Sequence, residues 1–301
     1  MHHAVCGQDR DPKQAENRHV TYAERHTRGR IGYGLRLYFD SMASLTLDRR
    51  GTVRSALAAL LLLAGLLAPG QPLAAEEVDL ALVLAVDVSR SIDDEEYALQ
   101  RQGYAQAFSH PSVISAIQSS PNRRIAVTFI EWAGADFQRT VVPWTIISDA
   151  ESGALFGEAI LKEARSFWGW TSVSGAIDYS MTAFDSLPYD ATRRVIDVSG
   201  DGVNNSGRLA SDARDEAVAK GVTINGLVIM NDRPTPGFYQ MPQPPLDEFY
   251  REQVIGGPGA FVIAIDDFSS FAYAIMNKLV KEIAQAPDPQ QGASADLADA
   301  K

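Results

Sequence analysis

The chain has 301 residues, a formal net charge of −11 and a hydrophobic fraction of 46%, which suits one large or two small globular domains. Residues 76–301 carry 17 Lys or Arg and 32 Asp or Glu, and so acidic a chain repels phosphate backbones, which disfavours nucleic-acid binding. The same stretch has one His, His110, and no Cys, which excludes a cysteine nucleophile, a disulfide and a zinc site of His and Cys ligands.

Residues 42–75 have the layout of a secretory signal peptide. Three arginines, at positions 49, 50 and 54, precede an apolar run over residues 56–68, and the sequence Leu-Ala-Ala at residues 73–75 precedes Glu76. A basic segment, an apolar segment and a small-residue cleavage site in this order predict export. The apolar run is too short to cross a bilayer comfortably, which disfavours the alternative of an uncleaved membrane anchor.

Residues 1–41 differ from the rest in being polar and irregular, with four of the five His and the single Cys, Cys6. Because a signal peptide lies at the N-terminus, we expect Met42 to be the true start and residues 1–41 to be a non-native or disordered extension. The mature chain is then expected to be periplasmic or secreted, with no stable membrane insertion.

Strand-like and helix-like segments alternate from residue 78 onward. Strands are predicted at residues 80–86, 124–132, 140–147, 194–198, 222–229 and 261–265. Helices are predicted at residues 93–108, 150–164, 173–184, 209–220 and 268–283. This alternation predicts an α/β fold with a doubly wound, mostly parallel six-stranded sheet flanked by helices, in a single domain over residues 76–285. Residues 286–301, rich in Asp, Gln, Ala and Pro, are expected to be a disordered tail.

Hydroxyl and carboxylate side chains follow the first predicted strand directly. The buried run ends in Asp87, Ser89 and Ser91, spaced alternately. Ligands of open α/β sheets bind beyond the carboxyl ends of the strands. Thr171 opens a later helix, and Asp201 ends a later strand. Oxygen ligands of this kind select hard cations such as Mg²⁺, Mn²⁺ or Ca²⁺, of which we expect Mg²⁺. Taken alone, Asp-x-Ser-x-Ser is also the composition of a helix-capping turn.

The five residues resemble the metal-ion-dependent adhesion site (MIDAS) of von Willebrand factor A (VWA) domains, which is built from Asp-x-Ser-x-Ser, a distant Thr and a later Asp. The resemblance covers residues 78–284. It implies that Ser89 and Ser91 ligate the ion directly and that Thr171 does so directly or through water. It also implies that Asp87 and Asp201 hold waters and orient the hydroxyls.

A closer resemblance is to the bacterial DUF1194 family of secreted VWA-like proteins. It is carried by residues 84–91, 193–202 and 254–261. Gln253 departs from this pattern, because many relatives are expected to have Cys there; the position is outside the predicted metal site.

Other polar residues near the predicted strand ends have simpler interpretations. Glu131 is either a further acidic group near the ion or an exposed charge at a strand end, and we expect the exposed charge. We expect Asp197 to be a structural carboxylate with its own partner. Asn204 and Asn205 are expected to fix the loop after Asp201 through Asx turns.

The aromatic residues before Thr171 have two interpretations. Trp168 and Trp170 flank Gly169 and are either exposed binding residues or loop packing, with packing slightly favoured.

The leading functional hypothesis is a metal-dependent binding module, not an enzyme, that engages an acidic side chain on a protein partner. A metal-dependent hydrolase is the second hypothesis, because a bound Mg²⁺ can activate water. A scaffold in which the ion only braces the loops is the third.

Overall fold

In a computed structural model, apolar strands and helices alternate along the chain and pack against one another in layers. The structure describes residues 75–166, 168–230 and 244–285. The predicted extension 1–41, signal peptide 42–75 (apart from Ala75) and tail 286–301 lie outside the described residues. Among the residues that the structure describes, every helix falls short of the length and apolar character that crossing a bilayer would need.

The strands form a six-stranded sheet and a small two-stranded sheet. Their bounds are β1 Glu76–Val78, β2 Leu80–Asp87, β3 Ile125–Trp132, β4 Gln138–Ile147, β5 Tyr189–Ala191, β6 Arg194–Gly200, β7 Val222–Ile229 and β8 Val262–Ile265. The large sheet has the order β4-β3-β2-β6-β7-β8, and β1 pairs with β5 in the small one. All pairs are parallel except β3 with β4, which confirms the predicted mostly parallel six-stranded sheet.

The helices cover both faces of the large sheet. They are α1 Asp94–Ser109, α2 Pro111–Gln118, α3 Ala150–Lys162, α4 Val173–Asp185, α5 Ala210–Ala219, α6 Leu246–Phe249 and α7 Phe271–Ala284, with a π-helical turn at Tyr250–Val254 and a 3₁₀ turn at Phe268–Ser270. The sequence did not predict α2, α6 or the two-stranded sheet. His110 caps the N-terminus of α2, because its Nδ1 accepts the Ser112 N–H at 3.2 Å.

The central strand β2 is buried on both faces, as its continuous apolar run predicts. Alternate residues from Leu80 to Val86 enter a core with α1, α2, α3 and α7. The residues between them, from Ala81 to Ala85, enter a second core with α4, α5 and the π-helical turn. Side chains along β2 therefore anchor the sheet between two helical layers and hold its carboxyl end in place.

The chain reverses its direction across the sheet at β2. It runs from β2 to β3 and β4 on one side, then continues from β6 to β8 on the other. Adjacent strands whose connections leave in opposite directions create a crevice at their carboxyl ends, where α/β folds bind ligands. The crevice here lies between Asp87, the last residue of β2, and Asp201, which follows the last residue of β6.

Candidate metal centre

The structure brings the five predicted site residues together at this crevice. The Ser91 hydroxyl donates to Asp201 Oδ1 at 2.6 Å, and Ser89 Oγ lies 3.2 Å from Ser91 Oγ. From the loop before α4, the Thr171 hydroxyl donates to Ser89 Oγ at 3.3 Å. Asp87 Oδ1 accepts the Ser89 N–H at 2.7 Å. Residues up to 114 positions apart in the sequence thus form one hydrogen-bonded cluster.

Burial raises the free-energy cost of negative charge on the two carboxylates of this cluster. Asp87 and Ser89 have no exposed surface, and Thr171 and Asp201 are also buried. Burial, and next the negative charge of Asp201, raise the pKa of Asp87 well above its ordinary value. Two buried carboxylates that repel each other become more stable when a cation is placed between or beside them. The site therefore has the charge that a divalent ion would balance.

The donor atoms suit a hard cation. Three hydroxyls and two carboxylates meet here, and oxygen donors of this type select Mg²⁺, Mn²⁺ or Ca²⁺. One oxygen, Asp87 Oδ2, is buried and receives no hydrogen bond within the described part of the chain. In the same residues no group of three or more His, Cys, Asp or Glu could hold a metal, so this cluster, rich in hydroxyls, is the candidate.

Arg165 holds the loop that carries Ser89 and Ser91, a role that the sequence did not reveal. Its Nη2 lies 2.8 Å from the carbonyl oxygens of Val88 and Ser89 and 2.9 Å from that of Ile92. Three carbonyls that converge on one guanidinium fix the path of a loop without regular secondary structure. Arg165 lies six residues before Thr171, so it connects the two loops that supply hydroxyls.

Asn205 and Asn204 hold the Thr171 segment from the other side. The Thr171 N–H donates to Asn205 Oδ1 at 2.8 Å, and the Asn205 N–H donates to the Thr171 carbonyl at 2.9 Å. Asn204 Oδ1 accepts the Ser174 N–H at 3.0 Å. The expected Asx turns are replaced by bonds across the crevice, which tie the loop after Asp201 to the start of α4.

Glu131 does not have the exposed position that we expected. It is fully buried, its Oε1 lies 3.0 Å from Arg101 Nη1, and its Oε2 accepts the Ser166 N–H at 2.9 Å. The prediction was wrong because Arg101 on α1 offers a charge partner at the end of β3, which allows a carboxylate to be buried. Glu131 therefore braces the segment that carries Arg165.

Trp168 and Trp170 are exposed, contrary to the slight preference for packing. Their exposed fractions are 57% and 54%. The Arg165 guanidinium lies 3.8 Å from the Trp168 ring centre, and the Arg90 guanidinium lies 5.7 Å from that of Trp170. Arg90 is itself exposed and stands between Ser89 and Ser91. We call Arg90, Trp168 and Trp170 the rim of the site.

Two grooves lie away from this centre. One, of about 700 Å³, lies at the opposite edge of the sheet, where Asp79 and Arg193 precede β2 and β6. None of the five site residues lines it.

Comparison with known proteins gives one family match. A family model described as "Protein of unknown function (DUF1194)" matches residues 77–287. No curated protein sequence matches the chain.

Several solved structures are similar to part of this chain. Proximal thread matrix protein 1 from the mussel byssus is 16% identical, with 71% of this chain and 48% of that chain covered and a TM-score of 0.48. A von Willebrand factor type A protein from Catenulispora acidiphila is 17% identical, with coverage of 69% and 42% and a TM-score of 0.46. The pilus adhesin SpaC from Lactobacillus rhamnosus GG is 13% identical, with coverage of 71% and 31% and a TM-score of 0.51.

These matches span less than half of each of those proteins, and the likeness concerns the fold alone. Another structure of the mussel protein is described as having a zinc-occupied MIDAS motif.

Proposed function

The chain belongs to the DUF1194 family, and we propose that it is a binding module that uses a Mg²⁺-type divalent cation to engage an acidic group on a protein partner. The observation that carries this proposal is the meeting of Asp87 and Asp201 with three hydroxyls, in a crevice where burial and mutual repulsion raise the pKa of Asp87. A cation would relieve that repulsion.

The residues divide into two roles around such an ion. The hydroxyls of Ser89, Ser91 and Thr171 would hold it, and Asp201 and Asp87 would orient the ligands, since Asp201 already accepts the Ser91 hydroxyl and Asp87 the Ser89 N–H. A neutral hydroxyl set leaves most of the ion's charge available, so a bound ion supplies an electrophilic coordination position for an incoming carboxylate.

The rim supports a protein partner. Arg90, Trp168 and Trp170 are exposed beside the crevice, and Trp and Arg are the residues that most often dominate the energy of protein interfaces. Arginine side chains over the indole rings add positive charge beside the site of an otherwise acidic protein, which suits an acidic partner.

We place this module in the periplasm or outside the cell. The support is the signal-peptide pattern of residues 42–75. A chain that reaches an oxidising compartment without Cys after residue 75 forms no disulfide there, so its site would depend on packing and on the ion.

The test is metal-dependent capture by the mature protein. Calorimetry should show that wild type binds Mg²⁺, and pull-down from the envelope fraction of the producing cell should recover a partner only while Mg²⁺ is present. Asp87→Ala should lose both properties. Asp212→Ala, which removes an exposed carboxylate from α5, is the matched control and should keep both.

The outcomes separate this proposal from its alternatives. Equal Mg²⁺ affinity and capture in Asp87→Ala would overturn the proposal. Metal binding that raises thermal stability without any metal-dependent capture would indicate a bracing ion. Turnover of phosphoesters or peptides that a chelator abolishes would indicate a hydrolase.

A further inference from the structure

A π-helical turn places one tyrosine directly behind the candidate metal centre. The turn spans Tyr250–Val254, and the Ile255 N–H donates to the Tyr250 carbonyl at 3.0 Å. Single π-helical turns are rare and occur often at functional sites. Here the turn inserts the Tyr250 ring into the core between β6, β7 and α5, where the side chain has no exposed surface.

The Tyr250 hydroxyl and the Asp87 carboxylate share one small niche at the end of β6. A Cβ atom built on Gly200 would lie 2.7 Å from the Tyr250 hydroxyl oxygen and 3.0 Å from Asp87 Oδ2. Both oxygens therefore border the same point above the Gly200 backbone. Any larger residue at position 200 would fill this niche, so glycine keeps the two oxygens accessible to each other.

Neither oxygen has a hydrogen-bond partner among the described residues, and both are buried. A buried polar atom without a partner destabilises the folded protein, so two such atoms beside one niche call for an explanation. A phenol hydroxyl is a donor at neutral pH, and an ionised carboxylate is an acceptor. Their chemistry is complementary.

We propose that Tyr250 is a positioning residue whose hydroxyl donates to Asp87 Oδ2 through one water in the niche above Gly200, and so sets the affinity of the site for its cation. The inference rests on the proposed function, since it assumes that the site holds a divalent ion. Asp87 Oδ1 is already held by the Ser89 N–H. A second bond to Oδ2 would fix the carboxylate plane in the ionised form that the ion needs.

The test is Mg²⁺ titration of the mature chain by calorimetry, as wild type and as Tyr250→Phe. Loss of a hydrogen bond that orients a residue of a metal site typically lowers metal affinity about 10- to 100-fold, and we expect a decrease of at least about tenfold in Tyr250→Phe. Thermal unfolding in a chelator should show a small decrease in melting temperature, because Tyr250→Phe also removes the proposed hydrogen bond from the metal-free protein.

Tyr104→Phe is the matched control. Tyr104 is also fully buried, and its hydroxyl donates to Ser199 Oγ at 3.2 Å, one residue before Gly200. Loss of this bond should lower the melting temperature of the metal-free protein but leave Mg²⁺ affinity within about twofold of wild type, because its hydroxyl is bonded elsewhere.

Tyrosine ultraviolet difference spectra supply a readout that a purely structural role would not change. Mg²⁺ should perturb the tyrosine absorption of wild type and of Tyr104→Phe, and this signal should be missing in Tyr250→Phe. If Tyr250→Phe fails to fold, Gly200→Ala tests the same niche, because its methyl group would displace the bond and weaken Mg²⁺ binding.

The outcomes distinguish the two proposals. If wild type binds Mg²⁺ and Tyr250→Phe binds equally well, the role of Tyr250 is overturned and the metal site stands. If wild type binds no divalent cation, the proposed function fails and the role of Tyr250 fails with it.

Discussion

Two buried acidic clusters lie along strand β6, and the protein balances their charges differently. In the middle of the strand, Asp197 Oδ1 lies 2.6 Å from the Lys278 ammonium, which also lies 2.5 Å from Glu282 Oε1. At the end of the strand, Asp87 and Asp201 meet hydroxyls. We call the first the core cluster and the second the edge cluster.

The difference follows from accessibility. The core cluster has no exposed side chain, so the cation that balances it must come from the chain itself. The edge cluster lies at an open strand end, with Ser91 partly exposed, so an ion from solution can reach it. The comparison indicates that the edge cluster is suited to an external cation, and four predictions test this difference.

The largest effect is expected from loss of the cation in the core cluster. Lys278→Met leaves two buried carboxylates without their ammonium, and removing one partner of a buried ion pair costs about 3–5 kcal/mol. Urea unfolding should show this loss. Lys281→Met, on the same helix but exposed, is the control and should cost less than about 1 kcal/mol. A small effect of Lys278→Met would mean that the core cluster does not depend on its internal cation.

The edge cluster should respond to an external cation. Mg²⁺ at roughly 100 times its dissociation constant should raise the free energy of unfolding by about 2.7 kcal/mol. Asp201→Ala should abolish this increase, and Lys278→Met should keep it, provided that it still folds. Equal stabilisation of wild type and Asp201→Ala would show that the ion binds elsewhere.

A smaller effect is expected from pH. The pKa of Asp197 is raised to about 7. Burial is the largest cause, the positive charge of Lys278 opposes it, and the negative charge of Glu282 adds to it. Because the folded-state pKa is above the unfolded one, the folded state binds the proton more tightly, and stability falls as pH rises through the folded pKa. From about pH 6 to about pH 8 the loss should be on the order of 1 kcal/mol.

Asp197→Asn isolates this contribution. In a chelator, the difference between the unfolding free energies of wild type and variant should shrink or change sign across that range, because only wild type carries the Asp197 titration. A difference that is independent of pH would contradict the assignment.

The smallest effect is expected where charges pair at the surface. Arg208 contacts Asp178 at 2.6 Å and Glu216 at 2.5 Å, but all three side chains are about one-third or more exposed. Exposed pairs contribute about 0–1 kcal/mol, so Arg208→Ala should change the unfolding free energy by at most about 1 kcal/mol. A loss comparable to that of Lys278→Met would show that burial is not what separates the two kinds of pair.

Sequence reasoning succeeded where the signal was local. The apolar run before Asp87 predicted a strand buried on both faces, and the strand β7 lies at Val222–Ile229, as predicted. It failed for Glu131, whose partner Arg101 lies 30 residues away on α1. It also missed Arg165 and Tyr250, since neither belongs to a motif, and their contacts depend on where separate loops meet.

The sequence by itself determined the alternation of strands and helices and the five residues of the edge cluster. These are properties of short segments, because periodicity and the ends of strands are local features. Only the tertiary structure decided that Asp197 meets Lys278 while Asp87 and Asp201 meet hydroxyls. That choice depends on the parallel pairing of β2 with β6 and on the packing of α7 against the sheet, which no single segment encodes.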